Sequence, residues 1–324
     1  MLPLLQELVM IPAVAGYESP LEEWLVDFAK KYGLPYIRES GYGVVIGNPL
    51  SKYACMAHID EVGGKITKIS DNILQFEGIG WVKPAMFVGR DIEIISSNGN
   101  IIYGLVVGPE PLKVAYENFS DLTVIVDSKQ ISQIHVGDSL RFRAQFTETP
   151  ESIFSTTLDN RVGVLVLLEI IKKQAVGENY EFFDETAFFF ATEEELKNKG
   201  GLYFVEKYRP KFLLIPDMIP HSFLENGPSS FPVILKKSPD YNLSPIYIPL
   251  VEDLQIQYLE SNFELLKNSE PAKYERVNNM SCIGIALPTY NYHHGTYCIT
   301  KKLLGDFIST ISTILERVKL LSNN

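Results

Sequence analysis

Five places along this chain carry side chains that hold divalent cations or move protons, and nearly all follow a short apolar run. His58 and Asp60 come after Tyr53-Ala-Cys-Met-Ala57, and Asp159 lies in Thr156-Thr-Leu-Asp-Asn-Arg161. Glu193, Glu194 and Glu195 follow Thr186-Ala-Phe-Phe-Phe-Ala191. Asp217 follows Phe212-Leu-Leu-Ile-Pro216, and His293 and His294 come a short loop after Cys282-Ile-Gly-Ile-Ala-Leu287. Parallel strands covered on both faces read as unbroken apolar runs. Open α/β sheets bind ligands just beyond the carboxyl ends of such strands. Imidazoles and carboxylates gathered there suit a pair of divalent metals.

Each residue taken alone has a plainer explanation. A His-x-Asp triplet on a surface is ordinarily just a polar pair, although a carboxylate two residues on can accept the second ring N–H of a metal-bound imidazole. Asp159 stands just before an apolar helical stretch, where an aspartate more often caps a helix. Three adjacent glutamates suit the first turn of a helix, which its dipole favours. They also suit a division of labour in which one binds metal and its neighbour takes a proton from water. Recurrence at strand ends is what favours the metal reading. His135 and His221 have no such setting and read as ordinary surface or turn residues.

The positioning elements follow from pattern. Ser19-Pro20-Leu21-Glu22 has the form of a capping box with proline at the first helical position, and residues 1 to about 32 read as helical. Residues 34–58 read as extended. From Gly63 to Glu151 short alternating runs replace helical spacing, among them Arg90–Ile95, Thr123–Val126 and Ser139–Arg143, and Ser97-Asn-Gly-Asn100 reads as a hairpin turn. After residue 151 helix and strand alternate again. Arg161–Lys173 carries an apolar stripe, and Lys301–Leu320 places Leu304, Phe307, Ile308, Ile311, Leu315 and Val318 on one side. Prolines between Pro228 and Pro271 break the segment 227–275 into loops, with one helix around 250–266.

The expected fold is therefore α/β, a mixed sheet flanked by helices, with an inserted all-β, barrel-like unit. The catalytic part covers residues 1–62 and 152–324, and the insert covers 63–151. An apolar content of 46% supports a substantial core. A net charge of −11 disfavours nucleic acid or an anionic membrane as partner. Cys55, Cys282 and Cys298 form no C-x-x-C pair and fit a reducing compartment. With no basic leader and no apolar stretch of spanning length, the expected location is the cytoplasm.

Several stretches together resemble the glutamyl aminopeptidase and tetrahedral (TET) aminopeptidase family of co-catalytic metallopeptidases. They are Pro12-Ala-Val-Ala-Gly-Tyr-Glu18, Ala57-His-Ile-Asp-Glu-Val-Gly63, Thr157-Leu-Asp-Asn-Arg-Val-Gly163, Thr192-Glu-Glu-Glu-Leu196, Ile215-Pro-Asp217, Asn226-Gly-Pro228 and Leu287-Pro-Thr-Tyr-Asn-Tyr-His293. The resemblance implies a zinc-peptidase-like domain with an inserted β dimerisation domain. It implies two divalent metals per chain, zinc or cobalt, with Asp159 bridging them. His58 and Asp217 would complete one shell, and Glu195 and His293 the other. Glu194 would be the general base acting on a bridging water, and Asp60 would orient His58. It further implies a cytoplasmic homo-oligomer that releases N-terminal residues from short peptides. Lys197, Tyr290, Asn291, His294 and the stretch 273–279 depart from the family pattern. Two other readings stand beside it: a metal-dependent deacylase or amidohydrolase on small substrates, and a relative weakened in catalysis.

Overall fold

A computed structural model of the protein describes residues 1–109, 116–177, 181–223, 233–238, 241–242, 257–260, 273–274 and 280–321. Asn226–Pro228 and residues 275–279 lie outside that set. Among the described residues the central sheet has nine strands. They run β1 (Tyr36–Glu39), β2 (Gly43–Gly47), β12 (Thr186–Ala191), β3 (Tyr53–His58), β13 (Phe212–Pro220), β17 (Ser281–Thr289), β14 (Val233–Ser238) and β15 (Tyr241–Asn242), with β16 (Gln257–Glu260) paired to β14. β12, β3, β13 and β17 are mutually parallel, so their carboxyl ends share one edge.

The apolar runs reflect cover on both faces. In β12, Phe188 and Phe190 join the core on one face, and Phe189 joins the core on the other. Burial of each such side chain contributes about 1.5–3 kcal/mol. The first face is covered by α1 (Leu2–Met10), α2 (Ser19–Lys31), α3 (Leu158–Val176) and α7 (Lys301–Leu321), and α4 (Glu181–Glu185) leads into β12. The second face packs against α6 (Lys199–Tyr208), which follows the short α5 (Glu194–Lys197). The expected stripe of α7 is buried at Leu304, Phe307, Ile311, Leu315 and Val318, with Ile308 partly covered.

The insert forms a closed barrel from β4 (Gly63–Ser70), β5 (Ile73–Ile79), β8 (Thr123–Val126), β7 (Ile101–Val107), β6 (Asp91–Ile95) and β9 (Ser139–Phe142). The turn at Ser97–Asn100 joins β6 to β7 as the sequence suggests. β10 (Phe146–Glu148), β11 (Ser152–Ser155) and β18 (Tyr297–Thr300) make a separate three-stranded sheet leading into α7.

Two expectations are revised and one is sharpened. The helical stretch 1–32 is two helices, Leu2–Met10 and Ser19–Lys31. Pro12 cannot continue α1, and residues 13–15 run instead along Glu61, with Ala13 N–H on Glu61 Oε1 at 2.9 Å and Ala15 N–H on the Glu61 carbonyl at 3.1 Å. α3 is not striped but buried nearly all round, at Val162, Val164, Val166 and Leu168 as well as Leu165 and Ile170, because α1 and α7 cover its outer side. Within the helix expected at 250–266, Gln257–Glu260 is strand, and the rest lies outside the described residues.

Candidate metal centre

The shared sheet edge explains why distant residues meet. His58 ends β3 opposite Ala191, so the chain leaving β12 delivers Glu193–Glu195 beside it. β13 pairs with β3 only over Phe212–Leu214 and then follows β17 alone. A crevice therefore opens between β3 and β13, and Asp217 lies on its wall. Asp217 sits inside its strand, which continues to Pro220, not after the strand's end. The start of α3 enters the same crevice. Asn160 Nδ2 donates to the Pro216 carbonyl at 2.9 Å, and Asn160 Oδ1 accepts Gly163 N–H at 2.7 Å.

Asp159 is no helix cap. Its backbone is non-helical (φ −87, ψ 112), and its carboxylate points between two imidazoles. Oδ1 lies 3.4 Å from His58 Nε2, and Oδ2 lies 3.2 Å from His293 Nε2. On the His58 side, Asp217 Oδ1 is 3.8 Å from Nε2. On the other side, Glu195 Oε1 is 3.2 Å from His293 Nε2. Each group of three, His58–Asp159–Asp217 and Asp159–Glu195–His293, offers ligand atoms all within 4.8 Å of one another. The neighbouring histidines are thus told apart. His293 is buried in the cluster, whereas His294 is exposed with Nδ1 on the Tyr292 carbonyl at 2.6 Å. Glu194 and Glu195 do occupy a first helical turn, so the acidic-turn and cluster readings hold together.

The electrostatics ask for cations. Burial pulls His58 toward a lower pKa, but the Asp159 and Asp60 carboxylates outweigh it and hold the imidazole well above its ordinary value. Burial opposes protonation of His293 too, yet the Glu195 and Asp159 carboxylates raise it to about 11. Asp159, despite the upward pull of burial, is held below the usual carboxylate range by the two histidines. Asp159, Glu195 and Asp217 gather about two imidazoles in a largely buried place, where carboxylates are costly unless cations neutralise them. His58 Nδ1 and Asp159 Oδ1 are buried without a hydrogen-bond partner. An orphaned acceptor at the centre of a nitrogen-and-oxygen donor set fits a divalent cation such as zinc.

A supporting layer escaped the sequence reading. Asp60, fully buried, accepts the N–H groups of Glu194 at 3.0 Å and Glu195 at 2.9 Å. Three non-glycine residues at the cluster have left-handed backbones: Thr157 (φ 56), Glu193 (φ 53) and His293 (φ 60). Such conformations cost about 1–3 kcal/mol each and persist only when surroundings hold them. Thr157 Oγ1 donates to Glu61 Oε2 at 2.7 Å, and Glu193 N–H to Glu18 Oε1 at 2.9 Å. His293 Nδ1 lies 3.2 Å from the Trp81 carbonyl, joining the loop after β17 to the stretch after β5. Glu18 and Glu61 both lie in motifs singled out above, but only the fold reveals what they grip.

A family model for M42 glutamyl aminopeptidases matches residues 43–231, more than half of the chain. A curated protein of Acetivibrio thermocellus, named provisionally as an aminopeptidase, is 24% identical over 245 residues, spanning 73% of this chain and 70% of that one. The TET1 peptidase of Pyrococcus horikoshii, described as able to assemble into a tetrahedron or a large octahedral shell, superposes with a TM-score of 0.80 at 18% identity over 97% of this chain and 98% of the other. An aminopeptidase from Desulfurococcus kamchatkensis superposes with a TM-score of 0.81 at 19% identity over 97% and 94%. At those identities the two structures bear on the fold alone, which they match.

Proposed function

Because the chain belongs to the M42 glutamyl aminopeptidase family of metal-dependent hydrolases, we propose that it removes N-terminal residues from peptides at a dinuclear centre built on Asp159. One observation carries this reading. A single carboxylate presents one oxygen to each of two imidazoles, and each side is closed by a further carboxylate. Asp159 is taken as the shared ligand, His58 and Asp217 as the ligands of one cation, Glu195 and His293 as those of the other. Zinc or cobalt suits these donors.

When bound, the cations would polarise the scissile carbonyl and make water acidic enough to lose a proton near neutral pH. The remaining work belongs to side chains. Glu194, half-buried and adjacent to a ligand in sequence, takes the proton from the attacking water and returns it to the departing amine. Asp60 fixes the start of α5, and with it the directions of Glu194 and Glu195.

Residues 1–62 and 152–324 are taken as the catalytic domain and 63–151 as an inserted domain through which copies of the chain associate. Support comes from the barrel's outer surface. Ile73 is paired across from Ile125, and Ile125 from Leu105, giving a row of outward-facing apolar residues over β5, β8 and β7. Ile101, Tyr103 and Leu105 alternate outward along β7 and are all exposed. Contiguous apolar patches of this kind mark interaction sites. Among the described residues no helix is long and apolar enough to cross a membrane. The cysteines form no disulfide there, as suits a cytoplasmic protein.

The test is hydrolysis of unblocked against N-acylated peptides, with and without chelator, by the parent and by Glu194→Gln. Release of N-terminal residues from unblocked peptides, lost on chelation and lowered about 10²–10⁴-fold by the substitution, is the expected result. Preference for blocked amines, or turnover that survives both treatments, overturns the reading.

A further inference from the structure

Beside His293 lies a cavity of about 620 Å³, within the range of small-molecule sites. Its walls come from three parts of the chain. Trp81 and Met86 belong to the stretch after β5, Pro220 and His221 to the end of β13, and Tyr290 and Tyr292 to the loop after β17. Two of these are large apolar side chains left open to solvent, Trp81 at 68% and Tyr290 at 51% exposure. Scattered exposed aromatics need no explanation. These two line one hollow next to a member of the metal cluster.

The walls are held in place. Trp81 is tied through its carbonyl to His293 Nδ1 at 3.2 Å. Tyr290 stacks on His221 with ring centroids 4.2 Å apart and planes inclined by 30°. Tyr292 stacks on His293 at 4.1 Å and 18°. An aromatic wall braced in this way keeps its shape without a ligand. The charge inside is sparse. Among the described residues the lining includes no carboxylate, and its one lysine, Lys83, is exposed. Burial lowers the His221 pKa, which disfavours a charge on that ring.

We propose that this cavity receives the side chain of the substrate's N-terminal residue and selects aromatic or large aliphatic side chains over charged ones. The inference rests on the aminopeptidase reading above and adds to it a substrate class. A lysine or arginine side chain entering the hollow would find no carboxylate among the described lining residues to replace its water. An acidic one would meet, among the described residues and apart from His293 of the cluster itself, a solvated ammonium at the rim. A phenylalanine or leucine side chain loses no polar contacts and gains the faces of Trp81 and Tyr290.

The test uses the full-length protein with phenylalanyl, leucyl, alanyl, glutamyl and lysyl p-nitroanilides, whose leaving group is constant. The kcat/KM for phenylalanine and leucine should exceed that for glutamate and lysine by about tenfold or more, the scale on which apolar pockets discriminate. Calorimetric titration with free L-phenylalanine, L-glutamate and L-lysine should give the same order without turnover. Trp81→Ala should shrink the preference for phenylalanine over alanine, and Trp81→Phe should keep most of it. Because Trp81 is exposed, its truncation leaves the core intact. A preference for glutamate or lysine, or an equal fall for every substrate in Trp81→Ala, overturns the pocket assignment while leaving a peptidase. No turnover of any anilide together with no amino-acid binding overturns the parent reading and this one with it.

Discussion

Asp60 accepts the backbone N–H of Glu194 at 3.0 Å through the same oxygen that faces His58 Nδ1 at 3.4 Å. One buried carboxylate thus touches both the imidazole at the end of β3 and the first turn of α5, where Glu195 N–H meets its other oxygen at 2.9 Å. Asp60→Asn keeps the shape but replaces one acceptor with a donor, which then confronts an N–H. Outer partners of metal ligands typically contribute 10–100-fold in affinity or activity. A fall of about that size in kcat/KM is expected, with weaker retention of metal in a competition with chelator. Kinetics and metal retention both matching the parent would show that the clamp is idle.

Asp159 belongs to both groups of three and Asp217 to one, and under the proposed bridging role metal content is where the two differ. Removing a ligand common to both groups of three should empty both, whereas Asp217 belongs to only one. Elemental analysis after dialysis should find two cations per parent chain, about one in Asp217→Ala and close to none in Asp159→Ala, since a site short of a ligand holds its metal poorly. Equal loss in the two variants would remove the bridging assignment.

Much of this arrangement was legible in the chain because fully covered strands must be apolar throughout. Thr186–Ala191 and Phe212–Pro216 stand out for that reason, and so do the acidic residues that follow them. The alternation of the insert and its turn at Ser97–Asn100 were readable on the same grounds. The gripping residues were not. Glu18 meets the Glu193 backbone across 175 positions of sequence, and Glu61 meets Thr157 across 96. A lone glutamate in a motif carries no sign of which N–H it will accept. Nor does a sequence show that Glu193, Thr157 and His293 adopt left-handed backbones. α3 was misread because apolar spacing reveals which residues are buried only when one side of a helix faces water, and here α1 and α7 take that side.

Glu18 gives a pH signature. Burial and the nearby Asp60 charge raise its carboxyl from 4.5 to about 7, against the lowering effect of the Gly16 and Glu193 N–H groups. Between those two values the folded chain holds a proton that the unfolded chain has lost. Stability from this group therefore falls as pH rises from 4.5 to 7, and above 7 the ionised form is a net cost of about 3 kcal/mol. Glu18→Gln keeps an acceptor oxygen for both N–H groups and removes the charge. In metal-free protein the variant should melt roughly 5 °C above the parent at pH 8, and the two should converge near pH 5. A variant less stable than the parent at pH 8 would show that the carboxylate's charge is needed there.

Arg141 ties the barrel to the end of α1, and its removal tests how much that tie contributes. From β9 it reaches the carbonyls of Val9 at 3.2 Å, Met10 at 2.8 Å and Ile11 at 3.1 Å, and it pairs with Glu93 at 2.9 Å and Glu61 at 3.2 Å. Arg161 contributes from the other side, reaching Leu8 and Ile11 and sharing Glu61 at 3.5 Å. Two guanidinium groups thereby satisfy the carbonyls at the end of α1, where helix geometry leaves acceptors open and the dipole favours positive charge. Burying two charges is costly in itself, so the pair is weak grounds for net stability, but breaking it strands the partner. Arg141→Met leaves Glu93 buried without a cation and should cost about 3–5 kcal/mol in urea unfolding. Adding Glu93→Met should recover part of that loss, because the stranded carboxylate goes with it. If the double substitution is as damaging as the sum of the two singles, the ion pair is not the source of the loss, and the contacts to the end of α1 are.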